Sequence, residues 1–256
     1  MLPLAGLRVI AVEQYGAGPF GSMMLGDLGA EVIKIENPAE GGDVSRSVGP
    51  YFFGPGDSHF YQSINRNKKS ITLNLKHPQA RRVLHALVRS ADATFDNLRG
   101  DQPEKLGVTY AQLRESNPTI VCAHLSAYGR DGPRKAWPGY DYLMQAETGY
   151  LAVTGEPDGP PARMGLSVVD LMTGLNAAFA LVSGVLSART TGKGRDIDVC
   201  LFDTALQNLA YLAVWYLNAG VNTGRALHSG QPMHRHSSGQ NFSLLHMMKM
   251  KPSLVR

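Results

Sequence analysis

The chain contains only two cysteines in 256 residues and no acidic residue beyond Asp203. Cys122 and Cys200 each lie in an apolar, strand-like run, which excludes a disulfide framework and a cysteine metal site and fits a reducing compartment, the cytoplasm. The opening Met1-Leu2-Pro3-Leu4-Ala5-Gly6-Leu7 lacks a basic flank and a long apolar stretch, so it does not read as a signal peptide. Internal repeats and low-complexity tracts are also lacking. The missing acids account for the formal charge of +4. Five basic residues follow Asp203 (Arg225, Arg235, Lys249, Lys251 and Arg256); without them, 20 of the 25 Lys and Arg face 21 Asp and Glu. The basic excess therefore belongs to the end of the chain and not to a binding face, which argues against nucleic acid as a partner. What is present, 43% hydrophobic and 18% charged residues, suits an ordinary globular enzyme.

Strand and helix patterns alternate through the first half. Arg8–Val12 predicts a strand, Pro19–Leu28 a helix closed by Gly29, and Glu31–Glu36 a second strand. Strands are also predicted at Ser70–Leu75, Ala93–Asn97, Ile120–Ser126 and Asp196–Leu201, with a helix over Pro78–Ser90 and an apolar helix over Thr204–Asn218. Asn37–Gly56, rich in Gly and Pro, reads as a long surface excursion. This alternation predicts an α/β fold with a parallel, Rossmann-like sheet and helices on both faces. The link from Val12 to Pro19 carries Gly16 and Gly18 but no third spaced glycine, and Glu36 ends the second strand. A nicotinamide-binding loop is thereby only half present, and a tight strand-to-helix turn is the better reading.

Leu171 to Ala188 contains no charged residue and many small ones, which predicts a helix buried on all sides. It reaches the minimum length of a membrane span, but Asn176, Thr173 and two glycines favour a core helix and no membrane association. Asp170 stands at its head, and a carboxylate entering a packed core needs a reason. It fits a capping box, Ser167-Val168-Val169-Asp170, which the local sequence favours, and it also fits a poorly solvated nucleophile at a positive helix end.

Several blocks then fall in a familiar order. Ala17-Gly18-Pro19, Leu25 to Glu36, Gly42-Asp43, Asn65 to Ser70, Gly129-x-x-Gly132-Pro133, Gly139-Tyr140-Asp141, Gln145-Ala146, Ser167 to Gly174 and Thr191 to Arg195 resemble the class III CoA-transferases. This CaiB/BaiF family includes formyl-CoA and carnitine CoA-transferases and, as a branch, α-methylacyl-CoA racemase. The resemblance implies transfer of CoA between an acyl-CoA and a carboxylic acid, with Asp170 as nucleophile, no tightly bound cofactor and coenzyme A as substrate. It implies that Lys76, Asn97, Arg99, Lys105 and Tyr140 bind CoA, although each Lys and Arg also reads as a solvated surface charge. Tyr140 stands where the racemase branch has its catalytic histidine. A phenol of pKa about 10 is a poor proton shuttle beside an imidazole of about 6.5, so transfer is preferred over racemisation. Asp141 reads either as a functional acid or as the residue that orients the next helix. A catalytically inactive CoA-binding fragment is the reading outside enzymes.

Two departures stand out. Gly16 takes the place of a glutamine in formyl-CoA transferase, which speaks against formyl or oxalyl substrates. Family members are also about half as long again, so the resemblance assigns residues 1–224 to the N-terminal part of the large domain and 225–256 to an atypical basic tail, disordered or a truncated or frameshifted remnant. His234, His236 and His246 in that tail lack the carboxylate or cysteine that would complete a metal site. Full-length relatives form interlocked homodimers, whereas a chain ending here is expected to be inactive or nearly so in transfer.

Overall fold

A computed structural model describes residues 1–225. Its elements run β1 (Arg8–Val12), α1 (Ala17–Asp27), β2 (Glu31–Glu36), β3 (Phe52–Gly54), β4 (Asp57–Ser58), α2 (His59–Asn65), β5 (Lys68–Thr72), α3 (Pro78–Val88) and β6 (Ala93–Asp96). Then follow α4 (Pro103–Leu106), α5 (Tyr110–Leu113), β7 (Val121–Ser126), α6 (Asp141–Glu147), α7 (Tyr150–Val153), α8 (Val168–Thr191), β8 (Arg195–Cys200), α9 (Leu201–Asn208) and α10 (Tyr211–Ala219). Six strands form one parallel sheet in the order β5-β2-β1-β6-β7-β8, and β3 and β4 make a small antiparallel hairpin. All six residues of β7 and four of five in β1 are buried, the signature of central parallel strands covered on both faces. Met1–Pro138 with Asp170–Cys200 forms one compact unit; Gly139–Val169 with the described residues from Leu201 onward forms a second.

The chain builds β1, β2 and β5 outward on one side and then returns to place β6 on the other side of β1. The loops after β1 and β6 thus diverge from adjacent strand ends, which is where open parallel sheets bind ligands.

Four predicted elements differ. The edge strand is Lys68–Thr72 instead of Ser70–Leu75, because an edge with one neighbour tolerates the polar Lys68-Lys69-Ser70 that a central strand would not. The apolar helix over Thr204–Asn218 is two helices, broken where Ala210 takes φ 42°, with no Gly or Pro to signal the break. Asn37–Gly56 is not merely surface, since Asp43 and Ser45 are buried within it. Nor is α8 buried on all sides. Its small and medium residues Ala177, Ala178, Leu181, Val185 and Ala188 are buried, and Gly184 lies against Ile197 of β8 and Val121 of β7. Its bulky residues Leu175, Phe179 and Leu186 face outward, with Phe179 77% exposed. Hydropathy alone could not separate these faces, because neither carries charge. By length and composition α8 could cross a membrane, but its packed face is that of a helix resting on a sheet.

One buried charge cluster ties the β6–β7–β8 side together. His124 on β7 bonds Asp96 through Nδ1 at 2.6 Å and Asp196 through Nε2 at 2.9 Å. Arg130 closes the cluster on Asp198 at 2.5 Å. Burial pushes the imidazole pKa down, but the carboxylates of Asp96 and Asp196 outweigh it and hold it up at about 9. A folded-state pKa above the unfolded value of about 6.5 stabilises fully below pH 6.5, and the gain is lost as pH rises through 9. We expect the urea-unfolding free energy to fall by on the order of 3 kcal/mol across that window. The His124→Gln variant should give a flatter profile from a lower start. A parent profile no steeper than the variant's would exclude a charged His124.

Candidate active site

The site is set by how closely α1 and α8 approach. A Cβ at Gly21 would overlap the carbonyl oxygen of Gly174, and one at Gly174 would overlap that of Ala17, so the helices touch backbone to backbone. The contact brings the first turn of α8, which carries Asp170, against the loop after β1. A Cβ at Gly16 would lie 3.0 Å from Asp170 Oδ2. Asp170 is half-buried, at the positive end of a 24-residue helix. This carboxylate is thus partly solvated and faces a residue, Gly16, that has no side chain.

The loop itself is held from two directions. Gln14 donates its N–H to Asn97 Oδ1 at 2.9 Å, and Asn97 Nδ2 donates back to the Gln14 carbonyl at 2.7 Å. Tyr15, in a left-handed conformation with φ 68°, donates its N–H to Asp43 Oδ1 at 3.0 Å. Asp43 also accepts from Ser45 and from the fully buried Lys34. Lys34 donates further to Asn65 Oδ1 at 2.8 Å. Lys68 donates to the same Asn65 oxygen at 3.0 Å, to Glu13 Oε1 at 2.8 Å and to the Pro19 carbonyl at 2.8 Å. Burial pulls the Lys68 pKa down, with the Glu13 carboxylate opposing. Sequence reasoning did not single out Lys34, Lys68, Glu13 or Asn65. The available signal was Lys34 itself, a charge between Ile33 and Ile35 in a strand of a covered parallel sheet.

Asn97 and Lys76 line one cavity of about 190 Å³ at the strand ends, walled by Leu73, Leu75, Leu98 and Leu106. That is small for a ligand site. Lys76 is exposed at its mouth, with Glu40 3.8 Å away. Arg99 and Lys105 do not reach this lining; both are bonded to Asp101. Tyr140 belongs to the second unit, 54% exposed, its ring stacked on that of Tyr142. Of the two readings of Asp141, its bonds favour the orienting one. It is buried, accepts from Gln145 Nε2 at 2.5 Å, and takes the N–H of Val169, the residue before Asp170, at 2.7 Å. Glu36 is equally committed, to Arg46 Nε and Nη2 at 2.7 Å each, Ser70 Oγ at 2.6 Å and the Asp43 N–H at 2.8 Å. Burial raises its carboxyl pKa, yet Arg46 and the other donors outweigh that and hold it at about 2. The histidines of the tail lie outside the described residues.

The sequence matches the family described as CoA-transferase family III over residues 4–243. It is 39% identical over 220 residues to a succinate–glutarate CoA-transferase of Agrobacterium fabrum, covering 82% of this chain and 55% of that one. It is 41% identical over 225 residues to an acetyl-CoA:oxalate CoA-transferase of Acetobacter aceti, covering 87% and 57%. The crystal structure of a CaiB/BaiF family protein from Brucella suis superposes with a TM-score of 0.82 at 35% identity, covering 88% of this chain and 60% of that one. The chain thus spans about half the length of the curated relatives it matches.

The helix contact is open to a direct test. Alanine in a helix gains up to about 1 kcal/mol over glycine, but here the added Cβ meets backbone that cannot rotate away. We expect Gly21→Ala and Gly174→Ala each to destabilise by about 1–3 kcal/mol in chemical unfolding. Gly54→Ala, where a Cβ meets nothing within 4 Å, should be near neutral. Equal stability of all three would mean that α1 and α8 do not touch as described.

Proposed function

Because the chain belongs to CoA-transferase family III, we propose that it transfers CoA between an acyl-CoA and a carboxylic acid, with Asp170 as the covalent nucleophile. The observation that carries this is the approach of Asp170 to the side-chain-free Gly16, beside the divergent loops after β1 and β6. An Asp170 carboxylate oxygen attacks the thioester carbon, the C–S bond breaks, and CoA leaves as thiolate, giving a mixed anhydride. The thiolate then attacks the aspartyl carbonyl, releasing the donor acid and leaving an aspartyl-CoA thioester. The acceptor carboxylate attacks that thioester and expels CoA once more, and the returning thiolate takes the acceptor acyl group and frees Asp170. Each step exchanges one acyl bond for another of similar reactivity, so one hard exchange becomes several easier ones. A carboxylate nucleophile needs no bound cofactor; CoA enters only as substrate.

Asp170 stands in the first turn of α8, where the positive helix end favours a carboxylate. The leucine-walled cavity with Asn97 and Lys76 suits the base end of CoA, and the resemblance assigns its phosphates to Arg99 and Lys105, which lie outside that lining. The acids in the relatives' names, succinate, glutarate and oxalate, are short dicarboxylates; succinate and glutarate are the acceptors to try first, and oxalate tests whether Gly16 excludes an oxalyl substrate. Racemisation is the weaker reading: its acid–base pair would need Tyr140 to shuttle protons, and Asp141 is occupied by Gln145 and the Val169 N–H.

Two experiments follow. Asp170→Asn should fold nearly as well as the parent, since asparagine keeps most capping ability and a lost cap costs only about 0.5–2 kcal/mol. It should form no acyl adduct. Mass spectrometry after acyl-CoA and hydroxylamine treatment should place the product on Asp170 of the parent chain; a product on another acid rules Asp170 out. Replacing both Arg99 and Lys105 with alanine should weaken CoA binding, and the loss should shrink as salt rises, because exposed charges are screened. Unchanged affinity at every ionic strength would remove these two cations from the site.

A further inference from the structure

Arg99, Asp101 and Lys105 form a unit whose middle member the reading above leaves without a role. The Asp101 side chain is 12% exposed, against 43% for Arg99 and 62% for Lys105, so the carboxylate is the least accessible of the three. Its Oδ1 accepts from Arg99 Nε at 2.5 Å. Its Oδ2 accepts from Arg99 Nη2 at 3.1 Å, Lys105 Nζ at 2.5 Å and Gln102 Nε2 at 2.9 Å. Both acceptor oxygens are filled, whereas the donors are not. A guanidinium carries five N–H bonds and an ammonium three. Two of each are at most engaged with Asp101, and the remainder are directed away from it.

The unit stands on a rigid wall. A Cβ at Gly100 would overlap the carbonyl oxygen of Gly129, so the loop after β6 is locked against the loop after β7. Between these loops lies a hollow of about 650 Å³ that Arg99 does not line, with Lys105, Arg130 and Lys135 facing the acids Asp101, Glu104, Asp131 and Asp198. Arg130 is itself fixed by Asp198. An exposed ion pair contributes little to stability, so folding alone gives Asp101 little to do. Two neighbouring cations repel each other and sample many rotamers, and a ligand that gathers them must overcome both effects. A carboxylate bonded to both removes the repulsion, holds both side chains, and still leaves the three residues with a net charge of one positive unit.

We propose that Asp101 is a positioning residue that holds Arg99 and Lys105 together as a preformed two-cation clamp for a phosphate group of CoA. The proposal rests on the reading that these two cations bind CoA. The opposite role is that of an internal anion that competes with the phosphate.

Calorimetric titration of the whole chain with CoA separates these roles. We expect Asp101→Ala to weaken CoA binding about tenfold, or about 1.4 kcal/mol, at a salt concentration of about 0.5 M. At about 0.15 M the loss should be smaller, since removing a carboxylate also removes repulsion that salt otherwise screens. In chains already carrying Arg99→Ala and Lys105→Ala, Asp101→Ala should have no further effect, which a merely structural role would not produce. Titration with 3′-dephospho-CoA assigns the phosphate: a loss that disappears points to the 3′-phosphate, and one that persists to the diphosphate. Asp101→Asn, which keeps the shape, replaces Asp101→Ala should the latter fail to fold. If the cation variants weaken binding while Asp101→Ala leaves it equal or tighter, the positioning role alone is overturned. If the cation variants leave binding unchanged, or the parent chain binds no CoA, the underlying reading falls and this proposal with it.

Discussion

Two helices can meet backbone to backbone only where neither carries a side chain, and the crossing of α1 and α8 at Gly21 and Gly174 sets the position of everything around Asp170. Interiors are packed too tightly to absorb an added methyl group at such a point. The crossing fixes the height of α8 over the sheet, and thereby the distance from its first turn to the loop after β1. Gly16 continues the same logic one turn earlier, since a side chain there would press on Asp170 itself. The run of small residues that makes α8 look like a generic core helix is therefore not uniform in purpose. Some of its small residues admit α1, others admit the sheet, and the bulky ones point outward.

The loop facing Asp170 is held by buried charge instead of apolar packing. Lys34 and Lys68 on one side balance Asp43 and Glu13 on the other, with Asn65 bridging the two lysines. Buried ion pairs often contribute little net stability, because desolvation offsets their attraction. What they do provide is direction. Tyr15 adopts a left-handed backbone that a tyrosine rarely takes, and the Asp43 carboxylate accepts the N–H which that conformation presents. An apolar cluster could fill the same volume but could not select that backbone geometry. Five separate segments, from the end of β1 to the start of β5, converge on these few atoms.

The sheet was legible because its central strands are short apolar runs between turn signals, and Val9 to Val12 or Val121 to Leu125 could scarcely be anything else. Its edge was less legible, since Lys68, Lys69 and Ser70 pair with β2 while reading as loop. The break at Ala210 was invisible, because it follows from tertiary placement and not from any local breaker. For the site, the resemblance picked out Asp170 as a nucleophile, whereas the local sequence favoured a cap. Asn97 was named for CoA, and the structure adds that its amide is already engaged with Gln14. Asp101 went unnoticed because a carboxylate two and four residues from its partners looks like ordinary surface charge until its burial is seen.

The comparison with a dinucleotide-binding sheet turns on where negative charge is left available. In that fold the acid ending the second strand holds a ribose hydroxyl, and the glycine loop receives the pyrophosphate. Here Glu36 occupies the corresponding strand end but accepts from Arg46, Ser70, the Asp43 backbone and Tyr61 together. A ribose could claim it only by breaking a two-point guanidinium bond, among the stronger ones proteins make. The loop after β1 turns its backbone toward Asp170, and a carboxylate there repels a pyrophosphate at close range. Of the two features that the sequence shares with such a sheet, the acid at the strand end is thus engaged within the fold, and the glycine loop faces Asp170. The cations beyond β5 and β6 are engaged in the same way, Lys76 near Glu40 and both Arg99 and Lys105 on Asp101, so charge at these strand ends is largely balanced by local pairs.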